Sequence, residues 1–153
     1  MKKILLILLL GTLVTGCGTA NEAPVDKPAQ KVNGGGKGIV ANEVKATLTE
    51  ISPLVFQYEL NNQTEEAVNL EFSSSQRVDY SVMDKDGNEV FLFSSAALFA
   101  QVMGKETILQ GDTFNYEINL HELNLQKGDY TLTAWMTPRN GQQYKASEKF
   151  TVE

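Results

Sequence analysis

The sequence predicts an all-β domain, an antiparallel sandwich of about seven to eight short strands. Three observations carry that reading. Apolar residues recur at every second position in one segment after another, the period of strands that bury a single face. Gly, Asn, Asp and Pro interrupt these segments at short intervals, as turns require. No long run carries the 3.6-residue spacing of an amphipathic helix. With 153 residues, 42% of them apolar and 21% charged, the chain has room for one domain with an ordinary core.

The folded domain is expected over residues 39–153. Its first strand sets Val44, Ala46 and Leu48 against Lys45, Thr47 and Thr49. Pro53 interrupts, and then Leu54, Phe56, Tyr58 and Leu60 alternate with Val55, Gln57, Glu59 and Asn61. Asn61-Asn62-Gln63-Thr64 reads as a polar turn, followed by a strand with Val68, Leu70 and Phe72 on one face. Three serines (Ser73, Ser74, Ser75) make a corner into residues 77–83, where Val78, Tyr80 and Val82 share a face. Residues 84–88 form a tight turn. The return strand points Val90 and Leu92 one way and Phe91 and Phe93 the other. A mostly apolar link then spans residues 94–103. Residues 95–103 could form a short helix with Phe99, Val102 and Met103 on one side, before a return segment that ends at Leu109.

The clearest alternation is Phe114, Tyr116, Ile118 and Leu120 against Asn115, Glu117 and Asn119. Tyr130, Leu132, Ala134 and Met136 make another strand, and residues 144–152 the last. Leu125-Gln126-Lys127-Gly128-Asp129-Tyr130 has the Leu-x-x-Gly-x-Tyr form of a tyrosine corner. There a tyrosine hydroxyl bonds back to the backbone where the chain crosses between sheets, a device of immunoglobulin-like sandwiches rather than barrels. Trp135 is out of phase with its strand. It either faces outward as a contact residue or packs on the opposite side of a strand covered on both faces.

Ahead of the domain, Met1-Lys2-Lys3 is basic and residues 4–10 are an unbroken apolar run. A membrane-spanning helix needs about 20 apolar residues, so residues 1–16 read as a signal peptide. Val14-Thr15-Gly16-Cys17 resembles the lipobox of bacterial lipoproteins. In that family the cysteine thiol receives a diacylglyceryl group and cleavage leaves the cysteine first. The resemblance implies lipidation of Cys17 and a protein held to the bilayer on the extracytoplasmic face of the cell membrane. Cys17 is the one cysteine of the chain, so no intramolecular disulfide can form. Residues 17–38, with Pro24, Pro28 and Gly34-Gly35-Gly36, have the composition of a flexible tether, with an end-to-end distance on the order of 25 Å.

The net charge is −6. With Lys2 and Lys3 taken from the 13 basic residues, the 11 that remain face 19 acidic ones, a balance of −8. An acidic domain without a basic stripe does not suit nucleic acid, whose phosphates need clustered Lys and Arg. The polar clusters give no chemistry of their own. Asp84-Lys85-Asp86-Gly87-Asn88-Glu89 has acids and a glycine, but not the ligand spacing of a calcium loop; Asp-Gly between alternating strands is a hairpin signal. His121 is the one histidine, and no serine lies in Gly-x-Ser-x-Gly. Adjacent Glu65 and Glu66 would point to opposite faces of a strand. The expectation is a protein without metal, cofactor or enzymatic activity.

Further residues fall into a familiar order and spacing. These are Asn62-Gln63-Thr64, Leu70-Glu71-Phe72, Ser75-Gln76 with Asp79-Tyr80, then Asp84, Asp86-Gly87 and Glu89-Val90. After them come Ser94, Phe99, Gln101, Leu109, Gly111, Gly128-Asp129-Tyr130 and Phe150-Thr151-Val152. From about Val44 to Val152 the chain thereby resembles the intracellular proteinase inhibitor family (BsuPI). Where that family often carries tryptophan after the hairpin, Phe91 and Phe93 stand here; and where the family is named for an intracellular inhibitor, this chain carries an export signal. The resemblance implies an immunoglobulin-like sandwich and a protein-binding role, inhibition of a serine protease; with the export signal, the expected target is an exported or cell-wall protease or another envelope protein. For that role the candidate contact loop is residues 96–104, chosen because Leu98, Phe99, Val102 and Met103 fall outside the strand pattern, with Ala96, Leu98, Phe99, Gln101, Val102 and Met103 as its members. The alternative for the same apolar residues is a plug at one end of the sandwich. The alternative role is a non-inhibitory cell-envelope scaffold or recognition module. A hydrolase would require a serine, an acid and His121 to converge.

Overall fold

The computed structural model describes residues 42–153. The expected signal peptide and tether, Cys17 and the first residues of the expected domain lie outside the described residues. The described chain forms nine strands: β1 (Val44–Ser52), β2 (Val55–Asn62), β3 (Val68–Phe72), β4 (Val78–Asp84), β5 (Glu89–Leu92), β6 (Gly104–Ile108), β7 (Thr113–Asn119), β8 (Gly128–Met136) and β9 (Gln143–Val152). One helical turn, α1 (Phe93–Ala96), follows β5, and a short 3₁₀ segment (His121–Leu123) follows β7.

All pairings are antiparallel. One sheet has the order β1-β2-β7, a second β5-β4-β8-β9, and β3 pairs with β6 as a separate two-stranded ribbon. Taking the strands as A, B, an extra strand, C, C′, D, E, F and G, the sheets read A-B-E and C′-C-F-G, the division of an immunoglobulin-like sandwich. The fold is the predicted one with a strand more than expected. That strand is β6. In Gly104-Lys105-Glu106-Thr107-Ile108 only Ile108 is buried, so no apolar alternation announces it. It exists because its backbone pairs with β3, from Phe72↔Gly104 to Val68↔Ile108.

The alternation read from β2 is the core. Phe56, Tyr58 and Leu60 are fully buried and meet Leu132, Ala134, Met136 and Phe150 from the opposite sheet. Phe56 and Phe150 pack edge to face, 5.1 Å between centroids, an arrangement aromatic rings prefer. Tyr58 sends its hydroxyl from β2 to the backbone carbonyl of Tyr144 in β9. Burial, and secondarily the neighbouring Tyr144, raise its pKa above the usual phenol value. Tyr144 sits at the bulge of β9 with φ of 54°, a left-handed backbone uncommon for a bulky residue. The tyrosine corner forms as predicted: the Tyr130 hydroxyl donates to the Gln126 carbonyl at 2.9 Å.

Two local expectations are corrected and one open alternative is decided. Asn62 is not in an exposed polar turn but ends β2, wholly buried. It continues the phase of Phe56, Tyr58 and Leu60, and its amide satisfies backbone that apolar atoms could not. Nδ2 donates to the carbonyls of Glu66 at 2.8 Å and Ile108 at 2.9 Å. Oδ1 accepts from the Thr64 amide at 3.0 Å and the Thr64 hydroxyl at 2.7 Å. Trp135 resolves as a buried residue, 5% exposed, on the outer side of the four-stranded sheet. It stands opposite Asp79 in register, with Lys145 Nζ 5.2 Å from its ring. The helix expected over residues 95–103 reduces to the single turn Phe93–Ala96, and Ala97 is already extended at φ −110°, ψ 154°. Both ends of that segment are bonded to other elements, leaving too short a run to offset helix nucleation.

Replacing the Asn62 amide removes the partner of the buried Ile108 carbonyl and of the part-buried Thr64 amide. Asn62→Ala is expected to cost about 1 to 3 kcal/mol. A shift of the urea midpoint at unchanged slope checks it; a midpoint within error of the parent would refute it.

Candidate functional site

Between β5 and β6 the chain leaves the four-stranded sheet and enters the β3-β6 ribbon. The predicted contact residues all lie on this crossing. Its upstream root is Asp79, a buried carboxylate whose Oδ1 accepts from the amides of Tyr80 and Ser94, both at 3.0 Å. A buried carboxylate needs such donors, and here they fix the start of α1. The Ala97 amide closes the turn onto the Phe93 carbonyl at 3.0 Å. The Phe93 ring stacks on Tyr80, 4.7 Å apart and 14° from parallel, and the edge of Phe99 meets Phe93 at 5.5 Å. Burial, then Tyr116 and Asp79, push the Tyr80 hydroxyl up to about 12, so a neutral ring underlies the loop at ordinary pH.

The downstream root is built from the serine corner. The Ser75 amide donates to the Ala100 carbonyl at 2.8 Å, and the Ala100 amide to Ser75 Oγ at 3.0 Å. Four residues on, Gly104 enters β6 directly beneath the Arg77 guanidinium, which occupies the space a Cβ would need. Arg77 is itself held on three sides. Nε donates to Glu106 at 2.7 Å, one terminal nitrogen donates to the Ser74 carbonyl at 2.8 Å, and the guanidinium lies 4.5 Å over the Phe72 ring. Only glycine fits under that arrangement without moving it.

Between the roots the side chains alternate as on an extended chain: Ala97 and Phe99 are half-buried, while Ala96, Leu98, Ala100 and Gln101 are exposed. Leu98 is 102% exposed, Val102 54% and Met103 67%. The plug alternative therefore fails for Leu98, Val102 and Met103, which face solvent; of the large apolar residues named there, only Phe99 turns inward. Pinned at Ser94 and Ala100, the segment cannot fold all its apolar residues under the sheet.

The other polar clusters have local partners. Asp84 Oδ1 accepts from the amides of Asp86 and Asn88, and Oδ2 from the Asn88 side chain, each at 2.9 Å. Asn88, through side chain and backbone, holds the Asp84 carboxyl below its ordinary range. Gly87, at φ +84°, supplies the left-handed residue of that hairpin turn. His121 is exposed at the start of the 3₁₀ segment. Among the described residues its ring bonds to no serine or acid.

The family model described as intracellular proteinase inhibitor (BsuPI) matches residues 41–141, more than half of the chain. No curated protein matches it. The matched span ends ahead of β9, although β9 is paired along its length with β8.

The alternation along the loop predicts opposite outcomes for neighbours. Phe99→Ala should lower stability by about 1 to 2 kcal/mol through lost burial and the lost aromatic pair. Leu98→Ala should stay within about 0.5 kcal/mol of the parent. Chemical denaturation of the two variants decides; equal losses would contradict the described burial.

Proposed function

We propose, because this chain belongs to the intracellular proteinase inhibitor family, that its β5–β6 crossing is the surface that engages and inhibits a serine protease. The observation that carries this reading is an apolar loop kept in solvent by bonds at both ends. A soluble fold normally buries such residues; holding them out, already ordered, lowers the entropy lost when a partner binds. Inhibitors of this kind gain affinity from pre-organisation and an interface of standard size rather than from large area. The four serine-corner and Asp79 bonds supply the pre-organisation.

The partner on this reading is an exported or cell-wall protease. Residues 1–17 supply the reason: a basic start, a short apolar run and Val14-Thr15-Gly16-Cys17. Acylation of Cys17 would add about 0.8 kcal/mol of membrane affinity per buried methylene, and the following tether would hold the domain clear of the bilayer. A non-inhibitory recognition module remains the competing role, and the inhibition assay separates them.

Two measurements test this. The full chain in mild detergent, titrated into a subtilisin-type protease, should abolish activity at stoichiometric equivalence; indifference or rapid digestion of the chain would favour the recognition module. In cells, Cys17→Ala should eliminate fatty-acid labelling, whereas labelling that persists would sink the anchor.

A further inference from the structure

We infer that Leu98 is the side chain this protein inserts into the primary specificity pocket of its target, and that the pocket is apolar. The inference rests on the inhibitor reading above and adds to it a residue and a class of protease. Three features single out Leu98. It is the most exposed of the large apolar side chains, at 102% against 54% for Val102 and 67% for Met103, so it has the most apolar surface to gain from a pocket. Its own N–H and C=O make no hydrogen bond among the described residues, leaving both free to pair with a protease strand, as extended peptides do when they add to a sheet edge. The flanking residues Ala96, Ala97 and Ala100 are small, and Ala97 is already extended, so the backbone can lie in a narrow cleft.

Val102 and Met103 suit this role less well. The Val102 amide is turned back onto the Ala100 carbonyl at 2.9 Å, and Met103 adjoins Gly104, which is fixed under Arg77. Their backbone is committed to the fold. At Leu98 the opposite holds: fixed points lie on each side, with the residue itself free between them.

The same fixed points explain why binding would end in inhibition instead of digestion. Hydrolysis of the Leu98–Phe99 peptide bond consumes one water and leaves a carboxylate on Leu98 and an amine on Phe99. Upstream, Ala97 remains bonded to Phe93; downstream, Phe99 remains against Phe93, and Ala100 remains bonded to Ser75. The two new ends stay adjacent. Departure of the amine product is hindered, and re-formation of the bond, with release of that water, is favoured by proximity.

The test uses the full chain in mild detergent with subtilisin and chymotrypsin, whose primary pockets accept apolar residues, and trypsin, whose pocket is acidic. Leu98→Lys is expected to weaken inhibition of chymotrypsin about 100-fold, the loss typical of a central anchor, and to create inhibition of trypsin. Val102→Lys should do neither. Long incubation of the parent with chymotrypsin should give, by mass spectrometry, a single cut between Leu98 and Phe99. If the parent inhibits and Leu98→Lys inhibits equally well, the Leu98 assignment fails while the inhibitor reading stands. If the parent inhibits neither subtilisin nor chymotrypsin, both fall. A Leu98→Lys melting temperature well below the parent's would also overturn the assignment, since it would mean that Leu98 holds the loop together.

Discussion

Asn62 is fully buried, and its side chain and main chain together bind two separate stretches of chain, 64–66 and 108–112. The side-chain amide takes the carbonyls of Glu66 and Ile108; its oxygen takes Thr64 twice. Its main-chain amide donates to the Asp112 carbonyl at 3.0 Å, and its carbonyl accepts from Gly111 at 2.8 Å. The β3-β6 ribbon belongs to neither large sheet, so its place in the domain depends on contacts of this kind. Through Ile108 and the 109–112 turn, Asn62 ties the end of β6 to β2, the central strand of the three-stranded sheet. A buried amide with all its bonds made is worth little more than an apolar residue would be, but one with bonds missing is costly. That asymmetry makes the ribbon's position specific.

The crossing loop inherits that specificity. It starts on the four-stranded sheet and ends on the ribbon, so its shape is set by the offset between two bodies, each held by buried polar bonds. At the upstream end Asp79 does for Ser94 what Asn62 does for Ile108, with a side chain from a covered strand satisfying backbone outside it. At the downstream end the close approach of Arg77 to Gly104 matters more than its ion pair with Glu106. Both partners are partly exposed, at 23% and 34%, and such pairs contribute about 0 to 1 kcal/mol. The guanidinium acts as a packed plate between the Phe72 ring and the glycine, fixing where β6 begins.

Much of the sandwich could be read from alternation alone, because Phe56, Tyr58, Leu60, Leu132 and Met136 bury one face of strands whose other face is polar. The tyrosine corner was legible for a different reason: glycine and tyrosine at a fixed spacing mean one hydrogen bond, and Tyr130 makes it. What escaped was decided by tertiary contact. β6 has a charged, mostly wet sequence and becomes a strand only through pairing with β3. Asn62 looks like turn chemistry because asparagine usually is; its burial follows from the phase of β2, which runs one residue further than the apolar pattern suggests. The loop residues Ala96, Leu98, Phe99, Gln101, Val102 and Met103 were found as a break in the strand rhythm. Which of them point inward could not be read, since that depends on where Ser75 and Asp79 catch the backbone.

The means by which the domain is held together also bear on where it can work. The chain has one cysteine, Cys17, ahead of the described domain, so no disulfide contributes to the fold. Small exported domains commonly rely on disulfides because their cores are limited. The described domain relies on two packed sheets, an inter-sheet tyrosine hydroxyl, the tyrosine corner and the Asn62 network. None of these depends on redox conditions. A domain of a family described as intracellular works, on the proposed reading, on the opposite side of the membrane without needing a disulfide. On the proposed reading, only the leader, the lipidated cysteine and a tether need be added. The loop would then meet whichever protease shares that compartment, and its target would be set by the few exposed side chains between the two roots.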